Sequence, residues 1–149
     1  MAKKFTFRLE PLLKLRANAV EKAKNALGIA YKNRKHNDDE LHAKQAYLDE
    51  ILKSSANGKM PAMVLEASWQ HRQFTQTEIR ALEKKQVRLL EIEELMRVEL
   101  AEKMKQEKIV EKLKERKTSE YKEIVAKEEQ VFLDEVASGR HSGMIRDFT

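Results

Sequence analysis

This chain has no cysteine, only four glycines and two prolines among 149 residues, and aromatic residues make up just 6% of it. Without cysteine there is no disulfide framework, no thiol nucleophile and no thiolate metal site, a composition that agrees with a reducing cytoplasm. The glycines at 28, 58, 139 and 143 form no GxxxxGK loop, so nucleotide hydrolysis has no phosphate cradle. No run of about 18 apolar residues occurs, and the basic N-terminus lacks the apolar stretch of a signal peptide, so the expectation is a soluble protein that does not leave by that route. So few turn-forming residues are too few for a compact sheet-containing domain.

Charged residues make up 37% of the chain and hydrophobic ones 41%. The apolar share is too high for a disordered polyampholyte and too diluted by charge for a globular core, so the apolar residues belong to a seam along a helical rod. The net charge of +5 is unevenly placed. Through His36 there are ten Lys or Arg against Glu10 and Glu21, net +8, which leaves −3 for the other 113 residues. A basic arm of this kind suits phosphates, anionic lipid or an acidic protein surface, and equally a solvated helix face.

Proline favours the first helical turn and biases its predecessor away from helix, so helix 1 is expected to open at Pro11, after an extended lead-in containing Phe5, Phe7 and Leu9. Its seam reads Leu13, Arg16, Val20, Ala23, Leu27, Ala30, Arg34, Asn37, Leu41, Lys44, Leu48 and Ile51. Alternating steps of three and four are those of a left-handed coiled coil. The string SSANGKMP then gathers turn formers into a hairpin tip. Beyond it a second apolar series runs through Leu65, Trp69, Phe74, Ile79, Leu82, Leu89, Ile92, Met96, Leu100, Met104, Val110, Leu113, Tyr121, Ile124, Val131 and Val136. Three successive steps of four from Ile92 to Met104 predict local unwinding of the supercoil.

The expected fold is therefore all-α, an elongated antiparallel two-helix coiled coil in which helix 2 is the longer. Residues 1–149 form one rod: helix 1 at 11–53, tip at 54–61, helix 2 at 62–137, where Ser138 and Gly139 end it, and a flexible tail at 138–149. At 1.5 Å per residue helix 2 overhangs helix 1 by roughly 40 Å, over about 112–137. Phe5, Phe7 and Leu9 are placed to cover part of that overhang.

Catalysis and metal binding find no support. His36, His42, His71 and His141 lack the three- or four-residue spacing that would put two on one helix face. Adjacent carboxylates such as Glu93 and Glu94 point apart on a helix, and a two-helix rod offers no water-excluding pocket. The chain is expected to be no enzyme and to need no cofactor. Two regions carry the aromatic and arginine side chains typical of interfaces. One is EASWQHRQFTQTEIRALEKK, residues 66–85, in which Trp69 and Phe74 either face a partner or cap the hairpin core. The other is the pair of termini, whose apolar residues either dock on a partner or pack on each other.

Those termini also carry a resemblance. FTFRLEPLLKLR at 5–16 has the aromatic, basic, Leu-Glu-Pro-Leu-Leu and closing Leu-Arg pattern of the FliJ family, and EEQVFLDEVASGR at 128–140 resembles that family's EQxxLDExAxxR stretch. Val131 stands where the family more often has lysine. The resemblance spans nearly the whole chain, and its specificity rests on Pro11 and on Leu133-Asp134-Glu135 rather than on the leucine seams.

It implies a monomeric stalk of the flagellar type III export apparatus, cytoplasmic and held at the inner face of the membrane only through its partners. The terminal end would enter the hexameric ring of the export ATPase, promote ring assembly, and link the ring to the membrane export gate and to export chaperones. The ring contacts implied are Phe5, Phe7, Arg8, Leu12, Arg16, Gln130, Leu133, Asp134 and Glu135. The export-gate face implied is Phe74 and Ala81 with Trp69, Glu78 and Lys85, the last two more polar than the family pattern. The alternative in the same class is the equivalent stalk of an injectisome. A holdase resembling a prefoldin subunit, or a coiled coil binding nucleic acid through the basic arm, leaves the terminal motifs unexplained, and apolar Leu9, Leu12, Leu13, Ala19, Val20 and Ala23 interrupt the cationic face.

Overall fold

A computed structural model describes residues 4–56 and 61–147, with side chains described within 4–54 and 61–139. Two helices account for almost all of this, α1 at Glu10–Ala56 and α2 at Ala62–Asp147, and there is no strand among the described residues. The fold is the expected two-helix coiled coil with the second helix longer, 86 residues against 47.

Proline sets both helix starts. Pro11 occupies the first turn of α1, where a missing N–H leaves no bond unmade, and the Leu13 amide closes that turn on the Leu9 carbonyl at 2.9 Å. Glu10 adds a negative charge at the positive end of the helix dipole. At α2 the Pro61 carbonyl accepts from the amides of Val64 and Leu65, at 3.0 and 3.1 Å, as an N-terminal cap residue does.

The contacts divide into two units. In the first, Ala19–Lys103, the partners across the helix pair run Tyr47 with His71, Lys44 with Glu78, Asn37 with Gln86 and Arg34 with Glu93. One number rises as the other falls, so the helices are antiparallel. Val20, Ala23, Ala30, Leu41 and Ile79 are its buried apolar core. In the second unit, the stretch up to Asn18 meets the stretch from Met104 onward, with Glu10 against Lys114, Arg16 against Gln106 and Phe5 against Tyr121. Val110 is buried there.

Every seam residue expected in helix 1, from Leu13 to Ile51, is buried or half-buried. The helix 2 series needs correction. Trp69, Phe74, Ile92, Met104 and Ile124 are exposed, and the buried or half-buried positions instead step through Arg72, Thr75, Ile79, Leu82, Gln86, Leu89, Glu93, Met96, Leu100 and Lys103. These steps alternate three and four throughout, so the unwinding expected between Ile92 and Met104 has no basis in the observed seam. Apolar periodicity misjudged α2 because its seam includes polar residues: Gln86 and Glu93, whose partners lie on α1, and Thr75, whose hydroxyl donates to the His71 carbonyl of its own helix.

Two boundaries also move. α1 continues past 53 to Ala56, with the Ser54 hydroxyl donating to the Ile51 carbonyl at 3.1 Å, so part of the expected tip is helical. The expected turn at Asn57 and Gly58 lies outside the described residues. α2 runs through Ser138 and Gly139 to Asp147, where an end at 137 and a flexible tail were expected. Gly139 has no positive φ, and a glycine costs a helix only about 1 kcal/mol relative to alanine, too little to stop it without a proline. The expected overhang is partly covered: Tyr121 and Val125 are half-buried, whereas every described side chain from 126 to 139 is exposed.

Two stability effects follow from this packing. Leu41→Ala removes a buried seam leucine and is expected to lower unfolding stability by about 2–5 kcal/mol, and half-buried Leu27→Ala by less, as read by chemical denaturation. Gly28 sits inside α1 with no positive φ, and an added Cβ would meet nothing within 4 Å. Gly28→Ala is expected to stabilise by about 0.5–1 kcal/mol, and a loss of stability would show that the site is closed to a methyl group.

Candidate partner surfaces

Near its start, α2 turns Thr75 and Ile79 into the helix pair and thereby sends Phe74 outward, leaving it 61% exposed. Phe74, Glu78, Ala81 and Lys85 follow one another in steps of four, three and four, so they share a helix face. The structure brings Glu78, Ala81 and Lys85 to the wall of a groove of about 480 Å³, whose other wall is Glu40, Ala43 and Lys44 of α1. Lys44 Nζ reaches Glu78 Oε2 at 3.0 Å across it, so the Glu78 carboxylate is already engaged within the chain. One turn before Phe74, the Tyr47 hydroxyl and His71 Nε2 lie 2.8 Å apart with their rings edge to face.

Trp69 is also exposed, but it stands five residues before Phe74 and about 140° around the helix. It does not belong to the same stripe. Since both aromatics are exposed, neither caps the core. Reading α2 alone missed the α1 wall, because one helix's periodicity does not say which residues of its partner lie opposite.

The terminal residues fall into two groups. Phe5, Phe7 and Arg8 line a groove of about 510 Å³ with Leu9, Leu113, Lys117, Tyr121 and Ile124. Phe5 is half-buried, its ring 5.3 Å from that of Tyr121, so the lead-in packs on α2 as an internal strap. Leu12 is half-buried, and Arg16 Nη1 donates to Gln106 Oε1 at 2.9 Å. Arg8 is exposed and makes no ion pair among the described residues.

Gln130, Leu133, Asp134 and Glu135 lie farther along α2, all exposed, with Gln130 Nε2 donating to Asp134 Oδ1 at 3.1 Å. Beside them Val131, Phe132 and Val136 add apolar surface, with Phe132 64% exposed. Phe132 was not singled out from the sequence, although an aromatic directly before Leu133 in an otherwise acidic stretch is a visible signal.

Among the described residues no group of His, Asp or Glu is arranged to hold a metal ion, and no helix is long and apolar enough to cross a membrane. The Arg34 guanidinium is held charged above its ordinary range, chiefly by its hydrogen bond to Glu93. A raised value of this kind contributes stability that is lost only as pH rises through it, so Arg34 brings no pH dependence below strongly alkaline solution.

Comparison with curated proteins and with solved structures returns no match. A family described as Flagellar FliJ protein matches residues 5–144, which contain both terminal motifs and both helices' paired stretches. The chain therefore belongs to the FliJ family and is related to flagellar type III protein export.

Proposed function

We propose that this chain is the cytoplasmic stalk of the flagellar export apparatus, docking in the ring of the export ATPase through its terminal residues and meeting the membrane export gate through the Phe74 face. The observation that carries this reading is the placement of apolar side chains off the seam in both stretches. Phe74 in one and Val131, Phe132 and Leu133 in the other are exposed although the chain has a seam able to bury such residues. Large apolar side chains left in water beside charged ones are what partner surfaces present.

The ring-binding element is the stretch of α2 from Gln130 to Glu135, where no described side chain is engaged by α1. Phe5 and Phe7 hold the lead-in against α2, and exposed Arg8 beside them is placed to reach a partner carboxylate. On this reading Arg16 supports the helix pair through Gln106 and is not a ring contact. The gate-binding element is Phe74 with Ala81 and Lys85, the Lys44–Glu78 pair fixing the groove beside them. Export chaperones are further partners, and contact with the membrane is through partners alone.

The test is phosphate release by the cognate export ATPase with and without the full chain. Stimulation that saturates with added chain is expected, since a ligand favouring the assembled ring shifts assembly by mass action. An unchanged rate over the same range counts against the stalk assignment.

A further inference from the structure

Two adjacent positions of the α1 seam are filled by Arg34 and Asn37, where a coiled coil gains most from apolar residues. Asn37 is 1% exposed. Its amide donates to the Leu82 carbonyl at 3.1 Å and to Gln86 Oε1 at 2.8 Å, while its own Oδ1 is buried with no partner. Arg34 forms an ion pair with Glu93, whose side chain is 6% exposed and also receives Arg97 at 3.4 Å. Burying a carboxylate, a guanidinium and an unsatisfied amide oxygen in a helix pair costs stability relative to leucine at the same places.

The rest of the seam explains why such a cost is tolerated. Val20, Ala23, Leu27, Ala30 and Leu41 form a stripe as suited to another copy of α1 as to α2. Apolar seams do not discriminate between partners; polar and charged seam positions do. A parallel, in-register pair of α1 helices from two copies would set Arg34 against Arg34, and a like pair of α2 helices would set Glu93 against Glu93. Only α1 against α2 joins opposite charges and gives Asn37 the Leu82 carbonyl and the Gln86 amide.

We infer that the Arg34–Glu93 pair, with the Asn37–Gln86 layer beside it, is a pairing filter that keeps α1 on α2 and rejects association of like helices between copies. The filter acts through repulsion in the wrong pairing rather than attraction in the right one, so it differs from a contact that holds the fold together. It rests on the helix pair alone and stands or falls independently of the export partners.

The test uses the full chain carrying Ala30→Cys, a buried seam position one turn from Arg34 in a protein otherwise without cysteine. In the parent, Cys at this position faces α2, and mild oxidation is expected to give no covalent dimer. In an Arg34→Leu/Glu93→Leu background, oxidation is expected to give on the order of tenfold more covalent dimer. Mass by light scattering should rise with concentration, while the thermal midpoint stays unchanged or increases. The swapped pair, Arg34→Glu/Glu93→Arg, restores opposite charges across α1 and α2 and is expected to return the chain to the parent's behaviour. A monomeric Leu/Leu variant, a Leu/Leu variant that loses its helicity, or a swapped variant that also dimerises each overturns the filter.

Discussion

Removal of residues 130–149 is expected to abolish stimulation of the export ATPase while leaving the helix pairs folded. No described side chain between 126 and 139 is buried, so none of the described side chains removed belongs to the core. The removed segment contains Val131, Phe132, Leu133 and Val136, the exposed apolar residues a ring would desolvate, with Asp134 and Glu135 beside them. Circular dichroism should retain the thermal transition of the parent, and phosphate release with the truncated chain should fall to the rate of the ATPase alone. Arg8→Glu is the milder companion: it reverses an exposed charge that pairs with nothing described, and is expected to weaken stimulation without loss of stability. Arg16→Glu is a poorer probe, because it also cuts the bond to Gln106. Full stimulation by the truncated chain would show that this end is not the one the ring receives.

Combining Phe74→Ala with Ala81→Asp is expected to abolish binding to the export-gate protein at unchanged helicity. The first change deletes an exposed ring, and the second places a carboxylate in the groove beside the already occupied Glu78. Truncating an interface aromatic costs about 2 kcal/mol or more where it is an anchor, some thirtyfold in affinity, and a buried unpaired charge adds to that. Calorimetric titration against the purified gate domain reads the loss. The far-ultraviolet spectrum serves as the control, because neither residue lies in the buried seam. Undiminished affinity in the double variant would remove this face from the gate contact. Trp69, about 140° from Phe74, provides a separate reading: its emission should change little on gate binding if the stripe alone makes the contact.

The fold was legible because helix periodicity and punctuation are local. Pro11 and Pro61 set helix starts through their missing N–H and fixed φ: α2 begins at Ala62 as expected, and α1 at Glu10, one residue before the expected Pro11. The seam of α1 emerged complete, polar members included, because its three-four rhythm is sustained by enough apolar residues to carry Arg34 and Asn37 along. α2 did not yield to the same reading. Its apolar residues lie all around the helix, Val87, Leu90, Leu95 and Val98 among the exposed ones, so the strongest apolar series was not the buried one.

By itself the sequence determined the class of protein: an all-helical, cysteine-free chain of the FliJ family, whose model matches residues 5–144. What only the tertiary structure decided is which face of α2 is buried and which is offered. Gln86 and Glu93 sit in the seam because Asn37 and Arg34 stand opposite to satisfy them, Thr75 is buried with its hydroxyl donating to the His71 carbonyl of its own helix, and Phe74 is outside because Thr75 is inside. A polar residue enters a core when its partner is there, and that partner, some 45 to 59 residues away along the chain, is visible only once the helices are paired.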